Sequence, residues 1–228
     1  MEEKELSIII PAYEKGKLII NTIKSLLEYF PQAEIIIIND GSKDNTRKIK
    51  NIFGDKIVYL ENEINKGKGY SLRKGFEKAK GRYLIFTDAD LPFGIEYIEK
   101  VFKELKQKKS IVIGHREEFY NDKFYKKLLR PFLYLILRIL FGFKYRDTQC
   151  GLKGFTRKEG KKIFSISIIN GFAIDIEILF LAKKLDYLVN KVVVQQEASS
   201  VSSTFNFPNI LRMIFDLLIV RFHNYEIS

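Results

Sequence analysis

Uncharged aliphatic runs recur along the first half of the chain, each followed by a polar loop and then by apolar residues at helical spacing. Leu6–Ile10 closes on Pro11 and predicts a first strand. Leu18, Ile19, Thr22, Ile23, Leu26 and Leu27 share one helical face, so Lys15–Tyr29 predicts an amphipathic helix that Pro31 ends. Glu34–Ile38 holds four consecutive isoleucines and predicts a central parallel strand, apolar on both faces. Asp44 or Asn45 is placed to cap a helix over Thr46–Phe53. Ile57–Leu60 predicts a third strand, Tyr70–Ala79 a helix, and Tyr83–Phe86 a fourth, buried strand. This alternation predicts an α/β fold with a mainly parallel sheet, right-handed crossovers and helices on both faces.

The second half reads differently. Ser110–Ile113 predicts another strand. Phe124–Phe143 is aliphatic and aromatic with basic residues interspersed, a helix that Pro131 kinks or starts. A strand over Leu152–Phe155 follows, then a helix over Arg157–Phe164 with Thr156 as its cap. A helix over Ile174–Leu185, a strand over Leu188–Val194 and a last helix over Ile210–Phe222 complete the pattern. The whole, 1–228, reads as one domain without an internal repeat.

Charge changes this picture in one place. The net charge is +11, and Lys123, Lys126, Lys127, Arg130, Arg138, Lys144 and Arg146 fall in one segment that holds no acid. An apolar helix flanked by such charges suits a membrane interface. Each basic residue contributes on the order of 1 kcal/mol near an anionic surface. The plainer alternative is a helix packed on the domain with its charges in water. A nucleic-acid binder fits less well, because the basic residues surround an apolar helix rather than aromatics set for base stacking. No apolar run reaches the ~20 residues of a spanning helix, and Met1–Leu6 runs straight into a strand rather than into a secretory signal. The single cysteine, Cys150, excludes an internal disulfide.

The candidate chemistry lies where Tyr83–Phe86 runs into Thr87-Asp88-Ala89-Asp90. Carboxylates two residues apart in extended chain share a face, and ligands of open α/β sheets bind at the carboxyl ends of strands. Two converging carboxylates repel unless a cation neutralises them, and a hard divalent metal does so with oxygen ligands. The competing reading is a turn in which Asp88 or Asp90 caps a helix over Ile95–Leu105. The other strand-end loops, Pro11–Glu14, Asn39–Ser42 and Glu61–Gly69, converge on the same crevice. Lys66-Gly67-Lys68-Gly69 leads into a helix, so its amides and lysines can meet phosphate, although it lacks dinucleotide and Walker spacing. His115 and His223 stand apart without metal-ligand spacing.

Four motifs together resemble the inverting family 2 glycosyltransferases of GT-A fold. They are Ser7-Ile8-Ile9-Ile10-Pro11-Ala12-Tyr13-Glu14, Ile38-Asn39-Asp40-Gly41-Ser42-Lys43-Asp44-Asn45-Thr46, Asn65-Lys66-Gly67-Lys68-Gly69 and Thr87-Asp88-Ala89-Asp90-Leu91. Arg146-Asp147-Thr148-Gln149-Cys150-Gly151 and Gly171-Phe172-Ala173-Ile174-Asp175-Ile176-Glu177 narrow the resemblance. They are similar to polyprenyl-phosphate sugar synthases, above all dolichyl-phosphate β-glucosyltransferases, with the mannosyl enzymes as near relatives.

The resemblance implies a nucleotide-sugar half over 1–115 and an acceptor half over 116–228. Pro11, Tyr13 and Glu14 would hold base and ribose, and Asp40 with Gly41 would read the nucleoside beside Lys68 and Gly69. Asp88, Ala89 and Asp90 would handle the sugar and, through Mg2+ or Mn2+ on Asp88 and Asp90, the diphosphate. Arg116 and Arg130 would receive the acceptor phosphate, with Asp147, Gln149, Asp175 and Glu177 lining that half. Asp90, Arg116 and Asp147 are the implied catalytic set. The implied reaction moves a hexose, UDP-glucose being the expected donor, onto a polyprenyl (dolichyl) phosphate. It would take place at the cytoplasmic membrane face, with contact through 123–146 and 207–222 and no nucleic-acid partner. GDP-mannose as donor, a soluble glycan as acceptor and an inactive nucleotide-sugar binder stay open as alternatives.

The sequence departs from the family pattern in places. Asn39 stands where an Asp is common, and Pro92 stands where mannosyl relatives carry a Gln. Ser202-Ser203 lacks the lysine of the late Ser-Lys motif, a cation that Arg212 is placed to replace.

Overall fold

The computed structural model describes residues 4–107, 109–116, 124–143, 147–195 and 207–226, with the side chains of 124–130, 132 and 207–212 outside the description. Among the described residues, seven strands form one sheet: β1 Leu6–Ala12, β2 Glu34–Asn39, β3 Val58–Glu61, β4 Tyr83–Phe86, β5 Ile111–Arg116, β6 Lys153–Thr156 and β7 Val189–Val194. Their order is β3-β2-β1-β4-β6-β5-β7. β6 pairs antiparallel with both β4 and β5, and the other described pairs are parallel.

The isoleucine runs explain the layering. Strand side chains alternate between faces, so a strand covered on both sides needs apolar residues throughout. Ile9, Ile36 and Ile38 join the apolar cluster on one face, while Ile8, Ile10, Ile35 and Ile37 join the cluster on the other. Helix α1, Gly16–Tyr29, adds Ile19, Ile23 and Leu26 to the second cluster. Helices α3, Lys68–Lys78, and α6, Arg157–Ile166, cover the first face, where the Phe76 and Phe164 rings stack with centroids 3.7 Å apart.

The remaining helices are α2 Ile49–Phe53, α4 Ile95–Lys106, α5 Phe124–Phe141, α7 Ile174–Lys184 and α8 Phe207–Phe222. Several boundaries differ from expectation, each for a local reason. Asp44 caps a short 3-10 turn, Asn45–Lys48, by accepting from the Thr46 amide. Thr46 Oγ1 in turn accepts from the Lys15 and Gly16 amides at the start of α1. Helix α3 begins at Lys68 rather than Tyr70, which puts that lysine in the first turn. Gly94 precedes α4, so neither Asp88 nor Asp90 is a helix cap. Thr156 precedes α6 but makes no capping hydrogen bond with its side chain. Pro131 lies inside α5 rather than at its start. No helix among the described residues is long and apolar enough to cross a membrane.

Candidate active site

Strands β1 and β4 lie side by side, with Ile8 opposite Ile85 and Ile9 opposite Phe86. Strand order reverses between them, because β2 and β3 extend away on the far side of β1. Such a switch point opens a crevice at the carboxyl ends of the strands.

On the β1–β3 side the loops lock together mainly through uncharged donors. The Glu14 amide donates to Ser42 Oγ at 3.0 Å, and the Lys43 amide donates to Glu14 Oε1 at 2.8 Å. Glu14 adopts a φ of 51°, the left-handed region, to bring both groups to the same turn. The Asp40 carboxylate accepts from Asn62 Nδ2 at 2.8 Å, the Lys66 amide at 2.9 Å and the Gly67 amide at 2.8 Å. Asp40 therefore shapes the loop over 62–67, and any reading of a nucleoside there uses the loop as well as the carboxylate. Tyr13 stands half exposed at the mouth of these loops.

On the β4 side, residues 88–91 form a tight turn closed by the Leu91 amide donating to the Asp88 carbonyl at 3.1 Å. Thr22 of α1 pins that turn by donating to the Ala89 carbonyl at 2.8 Å. Burial, and then the neighbouring Asp88 charge, push the Asp90 carboxyl above its ordinary range. Asp88 is met by Lys68 Nζ at 3.0 Å. The same ammonium lies 3.0 Å from Asp175, whose other oxygen takes Lys153 Nζ. Lys153 also donates to the Cys150 carbonyl at 2.7 Å. Burial pulls the Asp175 carboxyl upward, but the Lys153 and Lys68 charges outweigh it and hold the group below the usual range. Burial likewise works against the Lys68 charge, and Asp175 and Asp88 more than restore it.

The third wall is a clamp between β5 and the loop before β6. Arg116 Nε and a terminal guanidinium nitrogen donate to the two Asp147 oxygens at 2.7 and 2.8 Å, and the Arg116 amide adds a bond of 3.0 Å. This bidentate pair holds the Asp147 carboxyl below its usual range despite burial. Cys150 is buried between these elements, and its thiol is pushed up to about 12, mainly by burial. Gly151 brings the loop against the β4 turn: a Cβ there would lie 1.8 Å from an Asp88 oxygen. Only a glycine allows that approach.

The crevice thus joins Asp88, Asp90, Lys68, Arg116, Asp147 and Gly151. Two expectations need correction. Glu177 does not line the acceptor half, because it is fully buried and accepts from the Ile168 amide, the Ile169 amide and the Tyr225 hydroxyl. Asp175 lies beneath the site and serves the lysines rather than a surface. Gln149 points its amide to Met213 of α8, at 3.1 Å. The Arg130 and Arg212 side chains, and Lys123, Lys144, Arg146 and Ser202-Ser203, lie outside the described residues.

The profile described as Glycosyl transferase family 2 matches residues 7–169. The chain belongs to glycosyl transferase family 2. This family 2 transferase is 30% identical to the dolichyl-phosphate beta-glucosyltransferase of Drosophila melanogaster, over 95% of this chain and 74% of that protein. It is 31% identical to the Dictyostelium discoideum enzyme of the same description, over 95% of this chain and 74% of that one. Its fold is that of crystalline glucosyl-3-phosphoglycerate synthase from Mycobacterium tuberculosis, with a TM-score of 0.73 at 18% identity over 96% of this chain and 80% of that one. That synthase has also been crystallised with Mn2+, UDP and glucosyl-3-phosphoglycerate, in a form with a TM-score of 0.70. The mixed, mostly parallel sheet of the transferase is therefore the GT-A arrangement.

Among the described residues of the transferase, no three His, Cys, Asp or Glu side chains gather as a cage for a metal ion. The Asp88 and Asp90 pair still suits one, since Mg2+ commonly takes one or two carboxylates and fills its shell with phosphate and water. Burial and the Asp88 charge oppose ionisation of Asp90 more than the Lys15 and Lys68 charges favour it, and a bound cation would offset the difference.

One residue escaped the sequence reading. Lys153 is 1% exposed and links Asp175 to the Cys150 carbonyl. A lysine within the otherwise apolar Leu152–Phe155 was the available signal, because a buried ammonium needs an acid partner.

Proposed function

We propose that this transferase moves glucose from UDP-glucose to a polyprenyl (dolichyl) phosphate at a membrane surface, with inversion at the anomeric carbon. The observation that carries this reading is the contact of Gly151 with Asp88, which sets the Arg116 clamp beside the donor-side carboxylates in one crevice. The curated kinship supports the donor sugar and the lipid acceptor.

The residues divide the work by charge. Tyr13, Pro11 and the loops ordered by Glu14 and Asp40 receive the nucleoside. Mg2+ or Mn2+ held by Asp88 and Asp90 would neutralise the diphosphate as it departs. Lys68, already seated on Asp88, adds positive charge next to that leaving group. Arg116 orients the acceptor phosphate. That phosphate is an anion before it reacts, so the attack requires no base. The engagement of Asp147 by Arg116 agrees with this, since a carboxylate held by three hydrogen bonds is a poor proton acceptor. Positioning and charge neutralisation then supply most of the rate.

The lipid is reached from a surface that carries apolar side chains outward. Leu135 and Ile139 of α5 and Phe215 and Phe222 of α8 are exposed by 52, 73, 64 and 77%. Such residues in solvent mark an interaction surface, here the cytoplasmic leaflet of a bilayer.

The test is transfer of labelled sugar from UDP-glucose, other UDP-sugars and GDP-mannose to dolichyl phosphate in detergent with Mg2+ or Mn2+. Label in the organic phase from UDP-glucose, abolished by EDTA, is expected. Label from GDP-mannose alone would overturn the donor, and transfer only to soluble glycans would overturn the acceptor.

A further inference from the structure

A second cavity lies at the far end of α7 from the crevice. Helix α7 starts beside the site with Asp175 and spans 11 residues, about 16 Å at helical rise. At its other end a cavity of about 380 Å3 opens between α5, α7 and α8. Leu140, Phe141 and Phe180 form its apolar wall, and Lys183, Lys184 and Arg221 supply the charge. No acid lines it.

Three helices end here, and lysines at helix ends ordinarily answer the carbonyl dipoles. Lys183 does so, since its Nζ donates to the Phe141 carbonyl at 2.8 Å above Gly142, whose φ of 64° ends α5. Lys184 and Arg221 do not. Lys184 Nζ lies 5.3 Å from the Phe180 ring centre and Arg221 lies over Phe222, and neither has a carboxylate partner among the described residues. Both are exposed. Among the described residues, Ile139 and Phe222, next to the lining residues, are the most exposed apolar side chains of α5 and α8.

Cations over an apolar wall, rimmed by outward apolar residues, complement an anionic amphiphile. We propose that this cavity seats the phosphate headgroup of an anionic bilayer lipid that is not the substrate. The bound lipid anchors the end of the α5–α8 layer remote from the crevice. The inference deepens the membrane-surface reading given above. A different basic cavity, lined by Arg82, Arg157, Lys158 and Lys161, supplies the control, because it is lined by charged residues alone.

The experiment is co-flotation of the full chain with phosphatidylcholine vesicles, with and without phosphatidylglycerol. Lys184→Gln with Arg221→Gln should weaken binding to the anionic vesicles about tenfold or more and leave binding to neutral vesicles unchanged. Lys158→Gln with Lys161→Gln removes the same charge and should change either by less than about twofold. Equal losses from both pairs would show diffuse charge attraction and overturn the cavity. So would undiminished binding by the first pair, or full competition by soluble glycerol phosphate. The outer side chains leave the fold intact, which thermal unfolding checks. Transfer to a short-chain polyprenyl phosphate in detergent should be the same for parent and variant. If the parent transfers nothing, the proposed activity fails while the vesicle comparison still decides the lipid site.

Discussion

The two sides of the crevice hold their acids by opposite means. On the β1–β3 side Asp40 is satisfied by two backbone amides and an asparagine. On the β5–β6 side Asp147 is clamped by a guanidinium, and Asp175 is shared by two lysines. Uncharged donors shape a loop and leave a negative charge in place for a cation to find. Ion pairs cancel charge in a dry interior, where each member depends on its partner. Asp88 and Asp90 stand at the boundary, one with Lys68 and the other with its charge opposed by burial. One wall is thus built to recruit positive charge, and the other is neutral within itself.

The largest effect should come from breaking the neutral wall. Lys153→Met removes one cation from the series Asp88, Lys68, Asp175, Lys153 and strands part of a buried carboxylate. A loss of about 3–5 kcal/mol in urea unfolding is expected. Asp40→Asn, on the other wall, should cost about 1–2 kcal/mol, because its partners are uncharged donors. Equal costs would erase the distinction between the walls.

Next in size is the boundary between the walls, on the side that recruits charge. Asp90→Asn should lower transfer by about 100-fold, roughly the 2.7 kcal/mol of an electrostatic group lost in the transition state. Its melting temperature should hold or rise, because a charge opposed by burial is removed. Full activity with an unaltered response to Mn2+ concentration would take the metal role away from Asp90.

Gly151→Ala probes the seam. The added methyl would meet an Asp88 oxygen at 1.8 Å, so either the carboxylate or the loop must move. Turnover should fall about tenfold, with UDP affinity and acceptor KM both affected, because the seam belongs to both walls. A change in only one of the two would assign Gly151 to that wall alone.

The recruiting wall and the boundary beside it were legible in sequence because their logic is local. Isoleucine runs mark doubly covered strands, and strand-end loops carry Asp40, Asp88 and Asp90 a few residues beyond each run. The neutral wall was legible only as a set of residues. Arg116 and Asp147 are 31 positions apart, and Lys68 and Asp175 are 107 apart. Which acid meets which cation depends on β6 entering the sheet between β4 and β5, and no spacing encodes that. Glu177 shows the limit best. The resemblance set it beside Asp175 in the acceptor half, but helical geometry places residues two positions apart about 200° from each other. Asp175 turns toward the lysines and Glu177 toward the loop over 168–169.

The smallest predicted effect concerns that buried glutamate. Paired acids and Glu177 should leave opposite marks on stability as pH changes. Asp147 and Asp175 are held below their ordinary values, so their contribution is complete above the unfolded value of about 3.9. It is lost as pH falls through their folded values. Burial instead raises the Glu177 carboxyl, more than the Ile168 amide and the Tyr225 hydroxyl lower it. Its folded state holds a proton more tightly than the unfolded chain, whose value is about 4.3. Acidification from neutral pH should therefore stabilise the protein slightly as Glu177 takes up its proton, before the paired aspartates reverse the trend below about pH 4. In Glu177→Gln the slight gain on acidification should shrink to the part that the raised Asp90 carboxyl supplies, while the steep acid loss remains. Urea unfolding of both proteins from pH 7 to pH 3 reads the two slopes separately. A variant that kept the gain undiminished would place the responsible proton elsewhere.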